Sequence, residues 1–119
     1  MSVDPTGADL KRFLAEDEGG PVVMLNLLRF APAGRPSYEQ YAREVLPFLE
    51  RVGARMVYLG DTSTALVAPD GFAWDAVLLV EYPSRAAFSR MVADPGYQRI
   101  THLRTAALSA AVLQATSPW

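Results

Sequence analysis

Apolar residues recur along this chain with two different periods, and the order in which those periods alternate predicts the fold. Val22-Val-Met-Leu-Asn-Leu-Leu-Arg-Phe30 is apolar at nearly every position, as expected of a strand covered on both faces. Arg55-Met-Val-Tyr-Leu59 reads as a second strand, with a continuation at Thr64-Ala-Leu-Val-Ala68 across Gly60 and Asp61. Trp74–Tyr82 and Ala110–Ala115 read as a third and a fourth. Between the strands the spacing changes to three and four. Tyr38, Tyr41, Val45, Phe48, Leu49 and Val52 build one face of a helix over Ser37–Val52, and Ala87, Phe88, Met91 and Val92 one over Ser84–Val92. A further helical patch, Tyr97–Leu108, carries Ile100, Leu103 and Ala107.

The punctuation agrees with these periods. Thr6, with Asp9 three residues on, predicts a capped N-terminal helix reaching Asp17, with Leu10, Phe13 and Leu14 as its stripe; Glu18-Gly-Gly-Pro21 ends it. Ala31–Pro36 and Pro69-Asp-Gly71 are loop and turn by composition. Ser37 with Gln40 has the form of a capping box. Pro47 removes the amide that would bond to the Arg43 carbonyl, so a kink is predicted there, and Gly53 stands where a helix ends. Ser84 caps the next helix, and Asp94-Pro-Gly96 breaks it.

A βαββαβ order predicts an α+β domain of the ferredoxin-like kind, a four-stranded antiparallel sheet with helices on one face. One domain is expected over residues 1–119, of which 1–20 form an N-terminal helical extension. The second face of so apolar a sheet also needs cover, and a second copy of the sheet supplies it. The expectation is a homodimer, barrel-like, with an enclosed cavity between the sheets. By strand alternation Asn26 shares a face with Met24 and Leu28; if Val23, Leu25 and Leu27 pack on the helices, Asn26 points into that cavity with Met56 or Tyr58 and residues of the third strand.

Composition narrows the chemistry. Net charge is −2, with one Lys and ten Arg, and no basic cluster suggests a nucleic-acid partner. The absence of cysteine excludes disulfides, thiolate catalysis and Cys-ligated metals. Met1-Ser-Val-Asp-Pro5 lacks the basic and apolar regions of a signal peptide, and no apolar run approaches the roughly 20 residues of a bilayer span. A cytoplasmic protein with no membrane partner is expected. One histidine cannot build a multi-histidine metal site, so neither a metal nor a tightly bound cofactor is expected. No Gly-x-Ser-x-Gly elbow and no phosphate-cradling glycine loop is present.

A few residues stand out against the apolar pattern. Asn26 interrupts the first strand: it is either a hydrogen-bond donor to substrate or an amide satisfied across the sheet. His102 has the side chain suited to acid–base work near neutrality, and Arg104, two residues on, suits an anionic group. Asp75 and Glu81 bracket the third strand, as bases if desolvated or as partners of Arg55 or Arg85. Tyr58 and Trp74 offer area for a planar ligand, whereas Tyr38 and Tyr41, at helical spacing, read as core.

Several segments together resemble a known family. They are Pro21–Phe30, the Tyr38…Tyr41 helix leading to Val52-Gly-Ala-Arg55, Trp74–Arg85 with its Tyr-Pro-Ser-Arg end, and Asp94-Pro-Gly-Tyr-Gln98 followed by His102-Leu-Arg-Thr105. In these the chain is similar to the bacterial family of domains of unknown function numbered thirteen-thirty, of the dimeric α/β-barrel superfamily. The resemblance runs from about Pro5 onward and implies the fold and dimerisation; it carries over no catalytic residue. Its superfamily implies cofactor-free monooxygenases, lactone isomerases, haem-degrading enzymes and plain ligand-binding modules as relatives. Two readings follow. One is an enzyme acting on a small organic substrate by acid–base, isomerase or oxygenase chemistry, with His102 and Asn26 catalytic and Arg104, Tyr58, Trp74, Glu81 and Asp75 binding substrate. The other is a noncatalytic small-ligand-binding or dimerisation module.

Overall fold

The predicted order of elements is the order found in the computed structural model, which describes residues 2–119; Met1 of the predicted extension lies outside them. Helix α1 (Gly7–Ala15) precedes strand β1 (Val22–Phe30), helices α2 (Arg35–Glu44) and α3 (Leu46–Arg51), and strands β2 (Arg55–Asp61) and β3 (Ala76–Tyr82). Helices α4 (Arg85–Ala93), α5 (Pro95–Gln98) and α6 (Thr101–Ala107) then lead into strand β4 (Leu108–Thr116). The strands form one sheet in the order β2-β3-β1-β4, with every neighbouring pair antiparallel. No helix of the described residues is long and apolar enough to cross a membrane.

Local chemistry explains most boundaries. Thr6 and Asp9 form the reciprocal capping box, the Thr6 hydroxyl accepting from the Asp9 amide at 3.1 Å and the Asp9 carboxylate accepting from the Thr6 amide at 3.0 Å. The predicted Ser37–Val52 helix is interrupted at Val45, just before Pro47, whose missing amide cannot bond to Arg43. The Ser37–Gln40 capping box does not form. With Pro36 preset for a first turn, α2 starts earlier, at Arg35; the Ser37 hydroxyl instead donates to the Leu103 carbonyl at 2.8 Å, binding α2 to α6. Gly34 lies against the Ala107 carbonyl, so close that a Cβ would collide with it. Gly53, at φ +74°, ends α3 in the left-handed conformation expected of it.

Two strand expectations are corrected. Thr64–Ala68 is irregular: β2 pairs with β3 only as far as Asp61 opposite Ala76, which leaves the residues beyond no strand to pair with. Leu66 and Val67 in this loop are 92% and 97% exposed. Strand β3 begins at Ala76, so Trp74 and Asp75 precede it.

The larger correction concerns the faces of the sheet. Val22, Met24, Asn26 and Leu28 of β1 and Ala76, Leu78 and Val80 of β3 are buried beneath the helices, with Tyr38, Tyr41, Leu49, Phe88 and Met91 packed over them. Val23, Leu25, Leu27, Val77 and Leu79 face the other way and are only half-buried. Asn26 therefore lies under the helices and not on the open face. A strand apolar on both faces offers alternation no reference for which trio packs on the helices, and a one-residue choice inverts every side chain.

Candidate functional site

Between the helices and the covered face of the sheet lies a cavity of about 370 Å³. Its floor is apolar, made by Met24, Leu78, Val80 and Leu113, with Met56 at the β2 side. Its polar wall is built by elements distant in sequence. Tyr38 and Tyr41 come from α2, Tyr82 from the end of β3, Tyr97 from α5 and Arg104 from α6, with Asn26 below them. Each helical contribution follows from spacing. Thr101, Arg104 and Thr105 share one face of α6 at steps of three and four, and that face is the one turned to the cavity.

Arg104 is 6% exposed and Asn26 is 7% exposed, the two buried polar residues of the described chain. Nη1 of Arg104 donates to the Val3 carbonyl and to Asp4 Oδ1, the latter at 3.3 Å, so the guanidinium holds the N-terminal segment onto α6. Thr105 Oγ1 donates to the same carboxylate. Nη2 of Arg104 and the hydroxyl of Tyr38 are both buried and make no hydrogen bond. A buried donor left unpaired costs about 1–3 kcal/mol, so two of them beside one cavity are groups awaiting a partner. The Asn26 amide donates to the Met24 and Leu78 carbonyls, both at 3.4 Å, which are long bonds.

The phenols are held neutral. Burial pushes Tyr38 up to about 12, against a slight opposing pull from the Arg104 charge. Burial likewise raises Tyr41, Tyr82 and Tyr97, and the Tyr41 and Tyr97 hydroxyls share a hydrogen bond at 2.8 Å. Near neutrality this wall offers O–H and N–H donors but no phenolate. Chemically it can hold a ligand oxygen and stabilise negative charge that develops on it.

The sequence profile of a domain of unknown function, DUF1330, matches residues 28–116. The chain belongs to the DUF1330 family. A crystal structure of a protein of unknown function from Rhodopseudomonas palustris is 36% identical, with a TM-score of 0.90, covering 99% of this chain and 97% of its own. A dimeric ferredoxin-like protein of unknown function from Thermobifida fusca is 12% identical with a TM-score of 0.57, covering 85% and 93%. SnoaB, a cofactor-independent oxygenase from Streptomyces nogalater, is 15% identical with a TM-score of 0.61, covering 85% and 95%. These last two share the fold. No curated protein matches the sequence.

In this DUF1330 protein only two of the residues singled out from sequence share one cavity. Asn26 and Arg104 line the helix-side cavity. His102 is exposed and is absent from the cavity wall, because one step along α6 from Thr101 rotates it off the inward face. Tyr58 stands on the open face opposite Leu79, its ring over Gly60 and half of its surface exposed. Glu81 accepts from Arg55 Nε at 3.0 Å, an ion pair on that same face. Asp75 ties strand ends together: its carboxylate accepts from the Phe30 amide at 2.8 Å and its amide donates to the Leu28 carbonyl at 2.7 Å. Trp74 lies beneath the Arg29 guanidinium, 5.1 Å from ring centroid to Cζ, at the root of the 62–75 loop. The wall residues that sequence reasoning passed over are the tyrosines. Tyr38 and Tyr41 are expected to be core, and so they are by ring, while both also line the cavity. Tyr97 follows a helix breaker, where Asp94-Pro-Gly96 restarts the chain toward the core; that restart was its one sequence signal.

Proposed function

We propose that this protein is a cofactor-independent small-molecule enzyme of the dimeric α/β-barrel type. The helix-side cavity takes a small, mostly apolar organic molecule by one polar oxygen. Tyr38 and Arg104, with Asn26 beneath, stabilise negative charge on that oxygen, the electrophilic half of an isomerisation, proton transfer or oxygenation. One observation carries this reading: two buried donors, the Tyr38 hydroxyl and Arg104 Nη2, lack a partner beside the same cavity. Titration calorimetry and ligand-observed NMR with a panel of aryl and alkyl oxygen compounds test it. Tyr38→Phe and Arg104→Met should each weaken a hit by about tenfold or more. A hit that binds both variants as tightly as the wild type lies elsewhere.

A second reading, a noncatalytic binding module, is favoured by a different observation. No histidine lines the cavity, and its one carboxylate, Asp4, is engaged by Arg104 and Thr105. Deuterium uptake from heavy water into an enolisable hit separates the two: uptake above the protein-free rate supports catalysis, and its absence leaves binding.

The homodimer belongs to the same proposal. The half-buried apolar face of Val23, Leu25, Leu27, Val77, Leu79 and Val112 supports a second sheet as its cover, and related folds are described as dimeric. Interfaces of this kind commonly bury more than about 2,000 Å² in total.

A further inference from the structure

Among the described residues that line the cavity, Asp4 and Arg104 are the two that carry a formal charge. They are also each other's partner, 3.3 Å apart, although 100 residues separate them in sequence. Thr105 Oγ1 lies 3.2 and 3.1 Å from the two Asp4 oxygens and can donate its one proton to that carboxylate, which stays about half exposed. The lining therefore presents one positive and one negative charge. Its remaining polar groups, the phenols of Tyr38, Tyr41, Tyr82 and Tyr97, the amides of Asn26 and Gln98 and the hydroxyls of Thr101 and Thr105, are neutral.

This arrangement discriminates between two kinds of ligand oxygen. A carboxylate drawn to Arg104 would find the guanidinium charge already matched and would lie close to a second carboxylate, a like-charge pairing that disfavours it although Asp4 is half exposed. An uncharged carbonyl oxygen meets no such repulsion. It can accept from the unpaired Arg104 Nη2 or the unpaired Tyr38 hydroxyl while Nη1 keeps its bonds to Val3 and Asp4. Repulsion against the wrong ligand is a common route to specificity.

We propose that the cavity selects an uncharged carbonyl compound over the corresponding carboxylate, and that Asp4 is the residue that sets this preference. The proposal rests on the cavity-binding reading above and adds to it the charge class of the ligand and the residue that enforces it.

Three probes of one shape test it by titration calorimetry: 2-acetylnaphthalene, 2-naphthoate and 2-ethylnaphthalene. The wild type should bind the ketone at least about tenfold more tightly than the hydrocarbon or the carboxylate. Asp4→Asn and Asp4→Ser, which leave Arg104 unmatched, should raise naphthoate affinity by about tenfold and move the ketone by less than about threefold. Tyr38→Phe leaves the charges alone; it should cost the ketone about tenfold and the hydrocarbon nothing. A wild type that prefers naphthoate overturns the proposal without any variant. So does a ketone-to-naphthoate ratio that both Asp4 variants leave unmoved while their circular dichroism matches the wild type. Binding of none of the three probes would sink the cavity reading together with this one, whereas hydrocarbon and ketone binding alike would sink this one alone.

Discussion

Leu27 and Leu28 are neighbours in β1 and opposite in circumstance. Leu28 lies fully buried beneath the helices, whereas Leu27 is only partly buried, on the face that the helices leave open. The same contrast runs the length of the sheet. Its covered face meets aromatic rings from helices α1 to α5, and the cavity there is walled by four phenols, an asparagine and an arginine. Its open face is aliphatic, edged by the Arg55–Glu81 ion pair and the exposed Tyr58. The difference separates two tasks that one apolar strand carries at once. One side supports a cavity with a polar wall; the other is an aliphatic surface that the helices leave uncovered.

The largest test of that contrast is a pair of truncations. Leu28→Ala should lower unfolding free energy by roughly 2–5 kcal/mol, the cost of a fully buried leucine. Leu27→Ala should cost under about 1 kcal/mol in dilute protein, rising with concentration as the proposed dimer forms. Equal losses in urea unfolding at every concentration would erase the distinction between the faces. Next in size is the interface. Leu25→Lys with Leu79→Lys, which face each other across β1 and β3, should weaken a dimer by at least about a hundredfold, about 3 kcal/mol, with helix content unchanged. Sedimentation at micromolar concentration reads the outcome, and a double variant that still sediments as the wild type does places the interface elsewhere.

The covered face predicts a pH dependence of definite sign. Unfolded tyrosines ionise near pH 10, whereas Tyr38 in the fold keeps its proton to about 12. Between those values the folded chain binds more protons than the unfolded one, so stability falls as pH rises. The contribution is present in full below pH 10 and is lost toward 12, about 2–3 kcal/mol from Tyr38 alone. Tyr41, Tyr82 and Tyr97, raised for the same reason, add to it. Tyr38→Phe should flatten the alkaline slope measured by chemical unfolding between pH 9 and 11. A slope unchanged in that variant would mean that this phenol is hydrated.

Much of this architecture was legible from residues alone, for reasons that are local. Thr6 with Asp9, Pro47, Gly53 and Ser84 each act within a few residues of themselves, and the two hydrophobic periods mark strands and helices without reference to anything distant. The site was legible only in part, because its decisive contacts are long-range. Nothing near Arg104 in sequence announces that its partner is Asp4, and the hydroxyls of Tyr38 and Tyr97 look like ring packing until the elements are assembled. The face of Asn26 was unreadable for a third reason. Val23-Leu25-Leu27 and Met24-Leu28 are equally apolar, so only the helices, once docked, tell the faces apart. The 62–75 loop misled through its composition: Ala65-Leu-Val-Ala68 has strand chemistry but no neighbour to pair with.

The smallest expected effects sharpen the comparison most finely, because they set two polar residues of similar promise side by side. Asn26→Ala should cost about 1 kcal/mol in stability, since its two hydrogen bonds are long and made to backbone carbonyls. Its effect on ligand affinity should be larger, near tenfold, as the amide forms part of the cavity wall. His102→Gln should change neither quantity, with stability within about 0.5 kcal/mol of the wild type. The reason is geometric. Thr101, Arg104 and Thr105 define the inward stripe of α6, and position 102 falls off it into solvent. Calorimetry of the same ligand against both variants compares them directly. If His102→Gln weakens binding or slows turnover as much as Arg104→Met does, the chemistry reaches past the cavity to the outer side of α6. The histidine, the chain's one imidazole, would then regain the catalytic role that its residue type suggests.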